Sequence, residues 1–161
     1  MSFLSRGRVN DVKPFIDRRA AELVAQLGDG EVHDFVTTVG DRLPIEVIAV
    51  AMGLSEDAAV RLRELTVNMW LELSAGHPGG PAFQELSDLF STELSSRRLV
   101  PRDDFLDYLL RVEVKGSPLT DEQRANYLRG AAVAGHETTV NAASNLVIEL
   151  VSVTVSSLCK S

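Results

Sequence analysis

Small and hydroxyl-bearing side chains follow one another between residues 131 and 139, which read AAVAGHETT. A glycine such as Gly135 costs the interior of a helix about 1 kcal/mol relative to alanine. The hydroxyls of Thr138 and Thr139 can bond back to the carbonyl groups four residues earlier, which weakens the helical ladder. Small side chains let a flat ligand approach the backbone, and a weakened ladder leaves room for a water molecule. The residue types alone are therefore compatible with a ligand-binding segment within a helix and with a polar patch at a contact between two helices.

His136 opens a pattern that can be compared with a zinc motif. His136-Glu137-Thr138-Thr139-Val140 starts like H-E-x-x-H, but Val140 stands where the second histidine is required. The sequence also contains no Gly-rich phosphate loop, no nucleophile elbow and no complete metal-ligand spacing. We therefore predict no metal-ligating residues, and we expect His136 to lie on the helix surface.

The element that must position these residues is a long helix. Thr120-Asp121-Glu122-Gln123 is typical of a capping box, in which the Thr120 hydroxyl accepts from the Gln123 backbone N–H and the Gln123 side chain reaches back. No proline follows Asp121, so one helix can run to about Leu150. Its length would be about 45 Å at ~1.5 Å per residue.

Upstream of this helix, apolar residues recur at helical spacing in six shorter segments separated by Gly- or Pro-containing loops. The predicted helices cover about 10–27, 33–42, 44–52, 55–74, 82–98 and a short segment from 101. No pair of alternating segments predicts a sheet. The fold class is therefore predicted to be all-α, with seven or eight helices. We expect one helical domain over residues 1–150 and an atypical tail over residues 151–161, where β-branched residues and serines replace helix formers.

The motif at Ala134-Gly135-His136-Glu137-Thr138-Thr139 resembles the A-G-x-(D/E)-T-(T/S) pattern of the long distal helix in the cytochromes P450, the heme-thiolate monooxygenases. Further stretches fall in family order, namely 43–48 (LPIEVI), 52–57 (MGLSED) and 118–122 (PLTDE). The resemblance covers most of residues 1–150 and is closest to the soluble bacterial type. It implies a central segment only, an incomplete P450-like helical fold that ends with the distal, oxygen-binding helix.

The resemblance also implies a heme cofactor and roles for four residues. Ala134 and Gly135 would lie nearest the porphyrin and the bound dioxygen. Thr138 would hydrogen-bond the reduced oxygen group or an ordered water, and Glu137 would relay protons inward from solvent. The intact enzyme would insert one oxygen atom into a small apolar organic substrate, with electrons from a ferredoxin- or flavin-type donor. His136 occupies the variable position of the motif, and its ligation of heme iron stays open as an alternative.

Two further family motifs are not found in this sequence. The iron-ligating cysteine of the family follows a loop of the form F-x-x-G-x-x-x-C-x-G, whereas Cys159 lies in 154–161, TVSSLCKS. The family's E-x-x-R pair is not found after the distal helix either. We therefore expect that the chain does not act alone. The alternative hypothesis is a non-enzymatic helical remnant that binds an apolar ligand or a protein partner.

The composition excludes several classes of partner. Sixteen Lys and Arg residues against 23 Asp and Glu residues give a net charge of −7, which argues against general affinity for nucleic acid or an anionic membrane. The start of the chain has no signal-peptide core, and no run of about 18 apolar residues predicts a membrane span. A single cysteine cannot form an internal disulfide, as is typical of a reducing cytoplasm.

Overall fold

The computed structural model describes residues 6–158 of the chain, and the side chains of residues 9–157. Within this part, six α-helices, one π-helical segment and one small hairpin follow one another. They are α1 (Arg6–Ala25), the π-helical segment (Val36–Gly40), α2 (Arg42–Met52), α3 (Glu56–Ser74), α4 (Pro81–Leu99), α5 (Phe105–Arg111), β1 (Glu113–Val114), β2 (Ser117–Pro118) and α6 (Asp121–Leu158). The predicted all-α fold class is confirmed, and each predicted helical segment has a counterpart.

The structure differs from the prediction at two places along the chain. A two-stranded antiparallel hairpin, with Val114 paired to Ser117, stands where only a loop was predicted. Lys115 and Gly116 form its turn with φ angles of 54° and 77°, the left-handed pair that suits a tight hairpin. In addition, α6 continues past the predicted end near Leu150 and reaches Leu158.

The core is one apolar cluster contributed by α2 to α6. Its fully buried members include large side chains from four different helices, among them Ile45, Leu62, Phe90 and Leu128. α3 packs against α4, and the N-terminal part of α6 packs against both α2 and α4. α6 also contacts the π-helical segment, where Ser144 lies beside Gly40.

Side-chain caps fix where α3 and α6 begin, and the cap of α6 was predicted from the sequence. At the start of α6, the Gln123 N–H donates to Thr120 Oγ1 at 3.2 Å and the Thr120 N–H donates to Gln123 Oε1 at 2.9 Å. This is the predicted capping box. At the start of α3, the Ser55 hydroxyl oxygen accepts from the Ala58 N–H at 3.2 Å.

Gly53 ends α2 in the left-handed conformation, with φ 79°. A Cβ atom at this position would lie 2.2 Å from Asp104 Oδ2, so no other residue fits without displacing that carboxylate. The buried guanidinium of Arg97 donates to the Gly53 carbonyl at 2.6 Å and pairs with Asp104 at 2.8 Å. The end of α2 is therefore tied to both α4 and the start of α5.

The C-terminal part of α6 extends away from the packed body. Six large apolar side chains there are each more than half exposed, namely Leu146, Ile148, Leu150, Val151, Val153 and Val155. An 18-residue window within 121–157 reaches a mean hydropathy of 1.2, and none of it is buried. By length and composition this helix could cross a membrane, contrary to the prediction of no such segment. One helix of this kind is weak evidence for a membrane protein, because core helices of other proteins meet the same criterion.

Candidate functional site

Three of the four predicted site residues share one exposed face of α6. Ala134, Glu137 and Thr138 are all exposed, as their i, i+3 and i+4 spacing on a helix requires for a common face. Gly130 and Ala131 continue the face toward the N-terminus of the helix. A Cβ atom at Gly130 would meet nothing within 4 Å. The face is thus open and made of very small side chains, with the carboxylate and the hydroxyl at one end.

The polar groups on this face are oriented by the helix itself. The Thr138 hydroxyl donates to the Ala134 carbonyl at 2.6 Å, and the Thr139 hydroxyl donates to the Gly135 carbonyl at 2.7 Å. Asn141 Nδ2 donates to Glu137 Oε1 at 3.3 Å. Thr138 Oγ1 therefore keeps its acceptor lone pairs on the exposed side, and a turn about χ1 would let it donate outward.

Gly135, the fourth predicted residue, lies on a different side of α6. A Cβ atom there would approach Ile48 Cδ1 of α2 to 3.0 Å, closer than ordinary van der Waals contact. Gly135 and Thr139 also line an apolar groove of about 250 Å³ between α6, α2 and the chain before α2. In the described part of the chain, Gly135 therefore serves close packing between α6 and α2. Its predicted contact with a cofactor stays a prediction.

His136 is buried, and its expected place on the helix surface was wrong. The residue is only 2% exposed, and its Nε2 lies 3.0 Å from Asp41 Oδ1 and 3.1 Å from the Asp41 carbonyl oxygen. Asp41 is 95 residues away in the sequence, so no local pattern pointed to it. The available signal was helical position, because His136 follows the buried Ala132 by one helical turn. The other two histidines, His33 and His77, are exposed.

The remaining cavities and clusters lie away from the predicted site. A cleft of about 870 Å³ is formed by α1, α2 and α3 and includes Arg19, Glu46, Val60 and Arg63. It includes none of the predicted site residues. Within residues 6–158, no three His, Cys, Asp or Glu side chains cluster as a metal site. Cys159 lies outside the described residues.

The geometry of the α6 face limits the chemistry it can perform. A surface of glycine and alanine lets a flat apolar ligand approach at close range. A hydroxyl and a carboxylate one residue apart can exchange protons with solvent and with a ligand on that surface. The face therefore combines a surface of very small side chains with a hydroxyl and a carboxylate at one end.

Comparison with known proteins identifies relatives of this chain. No protein-family model matches it. It is 31% identical over 156 residues to Cyclomarin C epoxidase CymV of Salinispora arenicola, with 92% of this chain and 39% of that protein covered. It is 28% identical over 143 residues to Cytochrome P450 107B1 of Saccharopolyspora erythraea, with 89% of this chain and 35% of that protein covered.

Solved structures give the same result at the level of the fold. CYP109E1 from Bacillus megaterium, in complex with testosterone, superposes with a TM-score of 0.72 at 26% identity, over 84% of this chain and 38% of that one. Cytochrome P450 CYP109Q5 from Chondromyces apiculatus superposes with a TM-score of 0.71 at 28% identity, over 84% and 34%. The chain spans 29% to 39% of the length of the curated relatives compared.

Proposed function

Because the chain is a relative of the bacterial cytochromes P450 and matches about a third of their length, we propose that it forms the oxygen-side wall of a heme-dependent monooxygenase. The observation that carries the proposal is the exposed α6 face, where Ala134, Glu137 and Thr138 lie together. The family implies the heme cofactor. The small side chains of this face fit one side of a porphyrin.

When bound, the heme supplies the oxidation chemistry, the insertion of one oxygen atom into an organic substrate. The side chains of this protein would hold the cofactor and its bound groups in place and supply protons to them. Ala134 gives the macrocycle close access to the helix, and Gly135 lets the helix pack tightly on α2 behind it. Thr138 Oγ1 accepts or donates a hydrogen bond on the heme side. Glu137 Oε1 and Oε2 exchange protons with solvent, while Asn141 restrains one of these oxygens.

The iron ligand is not assigned to a residue of the described part. Cys159 lacks the aromatic residue and glycines of the family's cysteine loop, and the chain matches only about a third of its relatives. We therefore infer that the reaction requires further protein groups on the opposite side of the heme. We propose a small apolar organic substrate, a ferredoxin- or flavin-type electron donor and a cytoplasmic location. A role as a non-enzymatic helical remnant is the outcome if the first experiment below fails.

The first experiment is a heme titration of the purified chain, with the absorption spectrum recorded after reduction and addition of carbon monoxide. We expect saturable binding without a thiolate-type shift of the Soret band. Ala134→Phe should weaken binding about tenfold, or ~1.4 kcal/mol, because the ring occupies the face. Val60→Phe, in the large cleft between α1 and α3, is the matched control and should leave binding unchanged.

Each departure from this result has a definite meaning. Loss of binding on Val60→Phe alone would place the heme in the cleft and would contradict the α6 site. Absence of any saturable binding would leave the remnant hypothesis in its place. A thiolate-type shift would show that Cys159 binds the iron, and the inference of an outside ligand would then be wrong.

The role of Thr138 can be tested separately, in an enzyme in which this segment is part of a complete heme site. Thr138→Ala should divert electrons from substrate oxidation to hydrogen peroxide, because the hydroxyl that directs proton delivery is lost. Thr138→Ser should retain most of the coupling. The measurement is the ratio of product to electrons consumed, and an unchanged ratio in the alanine variant would contradict the assigned role.

A further inference from the structure

His136 makes a directional polar contact between α6 and the rest of the protein. Its Nε2 faces two oxygens of Asp41, the carboxylate Oδ1 at 3.0 Å and the backbone carbonyl at 3.1 Å. Both atoms are acceptors, so Nε2 carries the hydrogen. The imidazole side chain is 3% exposed. A hydrogen bond at this depth is strengthened by the low local dielectric.

Asp41 is itself held by two other elements. Arg63 of α3 donates from Nε to Asp41 Oδ2 at 2.8 Å, and a second guanidinium nitrogen lies at the same distance. The Asp41 N–H donates to the Val36 carbonyl at 2.8 Å, across the π-helical segment. The two carboxylate oxygens are therefore divided between Arg63 and His136. The series of polar contacts Arg63–Asp41–His136 therefore joins α3, the residue before α2, and α6.

The side of the α6 axis on which His136 lies determines which way the proposed site faces. Successive residues of an α-helix are about 100° apart, so Ala134 and Thr138 each lie about 160° from His136 around the axis. With His136 turned onto Asp41, these two residues must face away from α2. The buried Ala132 and Leu128, one and two turns earlier, set which side of α6 meets the core. His136 extends this contact by one turn, where Gly135 has no side chain to interlock with Ile48.

The chemistry of His136 argues against a role in packing alone. Its Nδ1 atom is buried and has no hydrogen-bond partner among the described residues. A buried polar atom without a partner is costly, and an apolar side chain of the same shape would avoid that cost. The Nε2 contact with Asp41 is therefore the property that distinguishes histidine from phenylalanine at this position.

We propose that His136 is a positioning residue, which fixes the rotation of α6 through Asp41 and Arg63 so that Ala134, Glu137 and Thr138 face the cofactor side. The inference rests on the proposed function for the meaning of that face. The rotation itself can be measured without heme or activity. Failure of the two proposals can therefore be told apart.

The experiment measures a distance between two spin labels in the full chain carrying Cys159→Ser. Labels are attached through Ala142→Cys on the exposed face of α6 and Ser91→Cys on the exposed side of α4. His136→Phe keeps a ring of similar size without the donor, and His136→Gln restores a donor at the position of Nε2. We expect His136→Phe to shift or broaden the distance by about 5 Å, as a partial rotation of a helix 10–12 Å wide requires. His136→Gln should retain the original distribution.

A second pair of variants covers the case in which His136→Phe does not fold. Arg63→Met and Asp41→Asn alter the polar contacts of His136 from the Asp41 side, where the Arg63 side chain is 39% exposed. Both variants should broaden the same distance distribution to a smaller degree. An unchanged distribution in folded His136→Phe, or in both outer variants, would overturn the proposal. So would identical behaviour of the Phe and Gln variants.

Discussion

Two glycines in α6 have different surroundings and should respond differently to the same substitution. Gly130 faces open space, whereas a methyl group at Gly135 would lie 3.0 Å from Ile48 Cδ1. Both positions are inside the helix, so the gain in helix propensity from alanine is the same, about 1 kcal/mol. The difference between the two variants therefore measures the contact between α6 and α2.

We predict that Gly130→Ala raises the free energy of unfolding in urea by about 0.5–1 kcal/mol. Gly135→Ala should gain less, or lose stability, because Ile48 must move. In an Ile48→Val background, which removes the Cδ1 methyl, Gly135→Ala should recover the gain seen at Gly130. Equal gains at both glycines in the wild-type background would contradict the close approach.

At the level of single residues, the sequence predicted which residues form the motif, but it did not predict the contacts around them. Ala134, Glu137 and Thr138 were predicted together, and helical periodicity alone places them on one face. Helical position could have indicated that His136 is buried, but its partner Asp41 could not be predicted, because it is 95 residues away in the sequence. Such a contact depends on how α6 packs against the start of α2, and the composition of α6 does not encode that packing.

At the level of the helices, the stabilising effect of the capping box at the start of α6 can be tested directly. Thr120→Ala removes the acceptor for the Gln123 N–H and should lower the free energy of unfolding by about 1 kcal/mol. Thr92→Ala is the matched control, since the exposed Thr92 hydroxyl bonds only to the Asp88 carbonyl one turn earlier. Its effect should stay within about 0.5 kcal/mol. A similar loss in both variants would show that Thr120 is not acting as a cap.

The ion pair between Arg98 of α4 and Asp121 of α6 should make the stability of the protein depend on pH. The hydrogen bond from Arg98, followed by that from Arg124, holds the pKa of Asp121 below its usual value. A carboxylate with a lowered pKa in the folded state stabilises the protein above its ordinary pKa. That contribution is lost as the pH falls through the folded value.

We therefore expect Asp121→Asn to be less stable than wild type at pH 7, with the difference shrinking as the pH falls below about 4. The measurement is urea unfolding of both proteins across this range. Added salt at pH 7 should also reduce the difference, because the Asp121 side chain is exposed. A difference that stays constant down to pH 2 would contradict the assignment to these arginines.

At the level of elements, periodicity predicted the helices and missed their ends. Each predicted segment formed a helix because its apolar residues share a face that the core can bury. The end of α6 was placed near Leu150 because valine and serine are poor helix formers, yet the helix continues to Leu158. The hairpin of two-residue strands was missed because two residues are too few to show alternation.

Considered as a whole, the described part of the protein has a packed body and an extended helix end. Side chains from Leu146 onward are largely exposed, so the backbone hydrogen bonds there have no tertiary protection. We predict rapid amide hydrogen exchange over residues 146–157 and slow exchange over residues 124–132, where Arg124, Leu128 and Ala132 are buried. Equal protection along the whole of α6 would show that the helix end is covered in solution, for example by a second copy.

The position of the core residues in the sequence affects the order in which the protein can fold during synthesis. Every buried member of the core cluster lies between Ile45 and Ala132. Chains leave the ribosome N-terminus first, at about 5–20 residues per second, and domains fold as units. Most of the core can therefore assemble once Ala132 has emerged, before Ala134 to Thr138 are available. The rotation of α6 would then be fixed last, when His136 reaches an Asp41 that Arg63 already holds.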